Sequence, residues 1–165
     1  MGTIASPTPR GIIRFLLRAP IVLYRLRLGW LLGRRFLLLT HVGRKSGVEH
    51  GTVLEVLRHD PVTDRFIIAS GWGEKAQWFQ NVVGNADVRY TVGTHERTGR
   101  AMRVSMEEAE YELRDYGRRH PRALRSLAKM MVGGEFEGTD EQYRILSRKV
   151  PVLEIRASHS GNGAA

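Results

Sequence analysis

The stretch FLLLTHVGRKSGVEHGTVLEVLRH, Phe36 to His59, decides how the chain is built. Phe36, Leu37, Leu38 and Leu39 are apolar and read as a buried strand. Gly51 to His59, with Val53, Val56 and two leucines, is a second run rich in strand formers. Between them the chain turns on Gly43 and Gly47, which hold Arg44, Lys45 and Ser46 at the tip. Two strands joined this closely pair antiparallel. Two adjacent cations and a hydroxyl are more than a turn needs, so the tip is a candidate anion site.

Downstream the pattern stays β, then alternates. DPVTD (Asp60 to Asp64) is a turn built on Pro61, and RFIIASGWG (Arg65 to Gly73) is a strand that ends in small residues. Glu74 to Asn85 reads as a short helix, with Trp78, Val82 and Val83 at helical spacing and Gly84 near its stop. Val88 to Val92 and Arg97 to Val104 are strands around a Gly93 turn. Ser105 and Glu108 form a capping-box pattern that opens another helix, which Pro121 separates from a further one, Arg122 to Val132. A last helix near Glu141 to Arg148 leads into the terminal strand VPVLEIRA. Strands linked by short turns favour a small antiparallel barrel of about six strands, with the helices outside it: an α+β domain.

Upstream lies RGIIRFLLRAPIVLYRLRLGWLLGRR, in which arginines punctuate apolar runs. Arg10, Arg14 and Arg18 fall on one helical stripe, and Pro20 interrupts. The runs are too short to span a bilayer, which takes about 20 apolar residues, and they spoil a signal-peptide core. Of the 26 basic residues, nine precede the first acidic one, Glu49, and 17 remain to balance the 17 acids. The net charge of +9 therefore sits in the first third, on an arm rather than on one face of a folded module, which argues against a nucleic-acid partner. Two readings of the arm stand: a helix packed on its own domain or on a dimer partner, or an interfacial helix on anionic lipid at the inner face of the plasma membrane. The expected layout is thus an arm over 1–33, a domain over 34–157 and a loose tail over 158–165. The chain has no cysteine, which fits a reducing cytoplasm and excludes disulfides and thiolate–metal sites.

Self-sufficient chemistry is missing. The six histidines form no metal pair at helical spacing and read mostly as surface residues, and there is no nucleophile elbow, phosphate loop or dinucleotide fingerprint. An enzyme of this composition relies on a cofactor. Three features line up to hold one: the cationic turn Arg44-Lys45-Ser46; the small-residue strand end Ala69-Ser70-Gly71, where backbone approaches a flat ligand; and Lys75, Trp78 and Asn81 beyond it.

At these residues the chain resembles the deazaflavin-dependent nitroreductase family of the split-barrel flavin-binding superfamily. The resemblance is carried by LLLTHVGRKSG, TVLEV, IIASGWG, WFQNVVGNADV and VPVLEI, in that order, over roughly Arg34 to Ala157. It implies a split β-barrel that binds coenzyme F-420, a deazaflavin with a phosphate and a polyglutamate tail. By position Arg44, Lys45 and Ser46 would hold the anionic tail, with Lys75 a further candidate. His50, Gly51, Thr52, Val53 and Leu54, together with Ala69, Ser70, Gly71 and Trp72, would line the ring and its linker. Gln77, Trp78, Phe79 and Asn81 would close the site from the helix. The implied activity is hydride transfer to a quinone, enone or nitro compound; no catalytic residue is assigned. Two features depart from the family pattern. His50 takes the place of its basic residue and Val53 that of its proline. Where nitroimidazole-reducing members carry several tyrosines, one proposed as proton donor, EFEGTDEQYRILSRKVP has only Tyr143, one position out of register counting back from Pro151. Alternatives are an FMN-dependent reductase on the same barrel, or a non-catalytic, membrane-apposed carrier of the coenzyme or of an apolar ligand such as a fatty acid. The oligomeric state is open, with a dimer allowed.

Overall fold

Six strands close on themselves in the order β1-β2-β3-β6-β5-β4, and every neighbouring pair is antiparallel. The computed structural model describes residues 34–158; the basic arm and the tail beyond residue 158 lie outside them. The strands are β1 (Phe36–Val42), β2 (Glu49–Asp60), β3 (Arg65–Ala69), β4 (Asp87–Val92), β5 (His95–Arg103) and β6 (Val152–Ala157). Among the described residues four α-helices accompany them: α1 (Gln77–Gly84), α2 (Met106–Arg119), α3 (Pro121–Met131) and α4 (Asp140–Lys149). The antiparallel barrel with outlying helices matches the sequence expectation.

Period-two alternation sorts the strands into two cores. Leu37 and Leu39 of β1, Leu54 and Val56 of β2, Phe66 and Ile68 of β3, and Leu153 and Ile155 of β6 fill the barrel, which Trp78, Phe79 and Val82 of α1 close at one end. The opposite phase, Leu57, Ile67 and Val152, packs outward against Leu113 and Tyr116 of α2, Leu124 of α3 and Leu146 of α4. After Arg65, strand β3 is apolar from Phe66 to Ala69 because both its faces are covered. An ion pair ties the layers together: Arg58 of β2 donates to fully buried Glu112 of α2, with Nε–Oε2 at 2.9 Å.

Three expectations need correction. The strand predicted to reach Gly73 ends at Ala69. The helix predicted over Glu74 to Asn85 divides into a short 3-10 turn, Gly73–Lys75, and α1. Ala76 separates them with φ −59° and ψ 128°, an extended conformation that breaks the helical hydrogen-bond ladder. Lys75 therefore does not share a helix with Trp78, and Val83 faces outward at 66% exposure while Val82 is buried. Finally, the Ser105–Glu108 capping box is half made. Ser105 Oγ accepts from the Glu108 amide, but the Glu108 carboxylate pairs with Arg65 of β3 instead of returning to the cap. The complete box lies at α4, where Thr139 and Gln142 satisfy each other.

Candidate functional site

The cationic turn is fixed from within. Gly43 donates to the Val48 carbonyl and Gly47 to the Gly43 carbonyl, both at 2.8 Å, and Gly47 adopts φ +68°, which a side chain would strain. Gly43 leaves no spare room: a Cβ there would stand 2.5 Å from Ser46 Oγ and 3.0 Å from His50 Nε2, so both side chains would have to shift. Ser46 Oγ accepts from the Val48 amide, so its hydroxyl proton remains available.

Arg44 is held by neutral partners. Its amide and its Nη1 both donate to Asn81 Oδ1 at 3.1 Å, and Nη1 also donates to Gln77 Oε1 at 3.2 Å. Amide oxygens orient the guanidinium without neutralising it, so its charge and its other N–H groups stay free for an outside anion. Because both bonds use Asn81 Oδ1 as acceptor, Asn81 Nδ2 must donate, and it faces Nδ1 of buried His41 at 3.2 Å. That contact sets the tautomer: His41 Nδ1 accepts, and Nε2 carries the proton toward Thr52 Oγ1 at 3.3 Å. Thr52 is left free to donate its own proton into the cavity. Burial, with a smaller contribution from the nearby His50 ring, lowers the His41 pKa and favours this neutral form.

Around the turn opens a cavity of about 440 Å³, lined by His41, Gly43, Arg44, Lys45, Ser46, His50, Gly51, Thr52, Gln77, Trp78 and Asn81. A second cavity of about 350 Å³ shares Thr52 and Trp78 with it and continues along β2 through Val53, Leu54, Glu55 and Leu57. Ala69, Gly71 and Trp72 from the end of β3, with Tyr116, Ala123 and Leu127 from α2 and α3, complete its wall. The two cavities form one cleft. One lobe carries two cations and no carboxylate; the other is apolar except for Glu55, Tyr116 and the shared Thr52.

Fourteen of the seventeen residues read from the sequence line this cleft. Three do not. Ser70 is fully buried and donates to the Gly73 carbonyl at 2.7 Å, shaping the loop. Phe79 points to the other side of α1, where the Arg103 guanidinium sits 5.9 Å from its ring. Lys75 is exposed on the 3-10 turn and lines neither lobe. The sequence reading missed His41, Glu55 and Tyr116. His41 continues the inward phase of Leu37 and Leu39, a legible signal, and is not a surface histidine. Tyr116 comes from a distant helix and has no local signature. Tyr143, weighed as a proton donor, packs edge-on against Phe136 with Arg114 over its ring, away from the cleft.

A closed six-stranded antiparallel barrel with helices outside it is a split-barrel fold. The family model described as F-420H(2)-dependent quinone reductase matches residues 25–128, and the chain belongs to that family. It is an oxidoreductase whose cofactor is coenzyme F-420. Solved structures share the fold at low identity. A structure described as an F-420-H2 dependent reductase (FDR-A) is 20% identical, with 75% of this chain and 96% of that one covered and a TM-score of 0.54. An FMN-binding protein related to pyridoxamine 5'-phosphate oxidase, from Nostoc punctiforme, is 10% identical, with 93% and 82% covered and a TM-score of 0.52. Among curated proteins none matches significantly. No described helix is long and apolar enough to cross a membrane.

Proposed function

We propose that the cleft holds the coenzyme's anionic tail in the cationic lobe and its ring across Thr52 and Trp78, with a quinone-type electrophile beside it in the apolar lobe. The observation that carries this reading is the continuity of a lobe with un-neutralised cations and an apolar one through two shared residues. The residues fit such a cofactor. Arg44, held by neutral amides, keeps its charge for phosphate or carboxylate groups, and Lys45 and Ser46 add donors to the same turn. Trp78 offers a flat wall, and the bare backbone at Gly51 and Gly71 allows a ring to approach closely.

When bound in reduced form, the deazaflavin supplies the hydride. The protein's part is placement: Trp78 and Thr52 fix the ring edge, while Leu54, Ala69 and Leu127 keep water from the acceptor. His41 presents the Thr52 hydroxyl as a donor at the junction of the lobes. Quinones, enones and nitro compounds share a flat conjugated system suited to the apolar lobe; of these a quinone agrees best with the family.

The test is direct titration of the protein with F-420 in oxidised and reduced form, beside FMN and a tail-less deazaflavin. Binding of F-420 is expected in the micromolar range or tighter. Arg44→Ala and Lys45→Ala are each expected to weaken it about tenfold while leaving the tail-less compound within about twofold, the difference being one charge-assisted contact. Equal losses for both ligands would remove the tail from the cationic lobe, and preferential binding of FMN would favour the flavin reading of the barrel.

A further inference from the structure

The apolar lobe has one charged lining side chain, Glu55, and its bonding is lopsided. Tyr116 Oη donates to Glu55 Oε1 at 2.7 Å, and Arg35 Nε donates to the same oxygen at 3.0 Å. No described residue donates to Glu55 Oε2. The phenol cannot turn its proton elsewhere without giving up this bond, and both burial and the carboxylate hold its pKa above the ordinary tyrosine value. Tyr116 Oη therefore offers the lobe a lone pair rather than a proton. Val53, Leu54, Leu57, Ala69, Ala123 and Leu127 supply the apolar remainder. The wall facing the substrate is thus made of acceptors, one of them a charged oxygen.

We propose that Glu55 sets substrate choice in this lobe, favouring uncharged electrophiles whose ring carries a hydroxyl besides the group that is reduced, and turning away anionic ones. The inference rests on the reading that the apolar lobe takes the hydride acceptor. A ring hydroxyl can donate to Glu55 Oε2 in a charge-assisted bond, whereas a sulfonate or carboxylate has no proton to give it and would lose its water among apolar walls, with Arg35, paired at Oε1, offsetting part of the like charge. The carboxylate side chain is 30% exposed, so water screens part of the repulsion and the discrimination is graded rather than absolute. The two lobes are consequently opposite in preference: anions belong at Arg44 and Lys45, uncharged hydroxyl-bearing rings at Glu55. A cofactor with an anionic tail is accordingly favoured in one orientation.

The experiment uses the full chain without coenzyme, so its outcome does not depend on how F-420 binds. Naphthol, methoxynaphthalene and naphthalenesulfonate, substituted at the same ring position, are titrated by calorimetry into the wild type, Glu55→Gln and Tyr116→Phe. Wild type is expected to bind naphthol about tenfold tighter than methoxynaphthalene, the worth of one hydrogen bond to a charged acceptor, and naphthalenesulfonate weakest of the three. Glu55→Gln should bring all three within about twofold to threefold while leaving the methoxy compound unchanged. Tyr116→Phe keeps the carboxylate and should keep the ranking. The proposal is overturned if the sulfonate binds wild type as tightly as naphthol, if Glu55→Gln preserves the ranking, or if none of the three binds. Coenzyme binding without this ranking would remove the role of Glu55 and leave the proposed function standing; the ranking without coenzyme binding would do the reverse.

Discussion

Asn81 joins three parts of the site through one amide. Its oxygen accepts from Arg44 twice and its nitrogen donates to His41, so the orientation of the turn and the tautomer of the imidazole are settled together. Asn81→Asp would place an acceptor against His41 Nδ1, and that nitrogen could bond only if protonated. We expect the His41 titration, followed by imidazole proton NMR, to move upward in this variant; an unmoved titration would show that Nδ1 has another partner. In the wild type the sign is opposite. Burial holds the His41 pKa below the ordinary histidine value of about 6.5, so the unfolded chain takes up the proton first. The stability that His41 contributes is complete above that value and is lost as the pH falls through it toward the folded-state pKa. Urea midpoints should therefore decline on acidification below about 6.5, and His41→Gln should flatten that part of the profile. These residues differ in how visible they are in sequence. Arg44 and Lys45 stand out because nothing in a turn requires them. Tyr116 meets Glu55 across 61 positions, and only tertiary packing brings it there.

At the scale of elements, the strands were legible and the α1 region was not. Apolar runs, strand formers and the turn residues between them mark β1, β2, β4 and β5. The error over Glu74 to Asn85 has a local cause. Every residue in that run tolerates a helix, and the break at Ala76 follows from the Ser70 side chain and amide hydrogen bonds that pin the preceding loop to Gly73 and Pro151. The helices α2 to α4 were legible as helices, but not the face each one buries. Glu112 shows why: a glutamate in EYELRDY reads as solvated, yet it is fully buried against Arg58. Its burial also makes a prediction. Removing Arg58 leaves the fully buried Glu112 charge uncompensated, so Arg58→Ala should lower unfolding free energy by about 3–5 kcal/mol in urea titrations. The exposed pair Arg144–Glu141 should yield about 0–1 kcal/mol on the same test.

At the scale of the whole molecule, the closed order β1-β2-β3-β6-β5-β4 separates what forms early from what forms late. Hairpins β1–β2, β2–β3 and β4–β5 join neighbours in sequence, whereas β6 must find both β3 and β5, and its partners in β3 are between 83 (Ala69↔Val152) and 91 (Arg65↔Arg156) residues away. Until it docks, β3 and β5 are open edges. Leu153 of β6, 1% exposed in the barrel core, reports on that step. Leu153→Ala should cost about 2–5 kcal/mol at equilibrium. We expect most of that cost as slower refolding in stopped-flow chevrons; a loss taken up by faster unfolding would place β6 docking after the rate-limiting barrier. The arrangement has a consequence measured in time rather than in energy. For the interval before the last strand arrives, the chain exposes two unpaired strands of the kind that template a neighbour, so yield on refolding should fall as protein concentration rises, even though the finished barrel has no edge to offer.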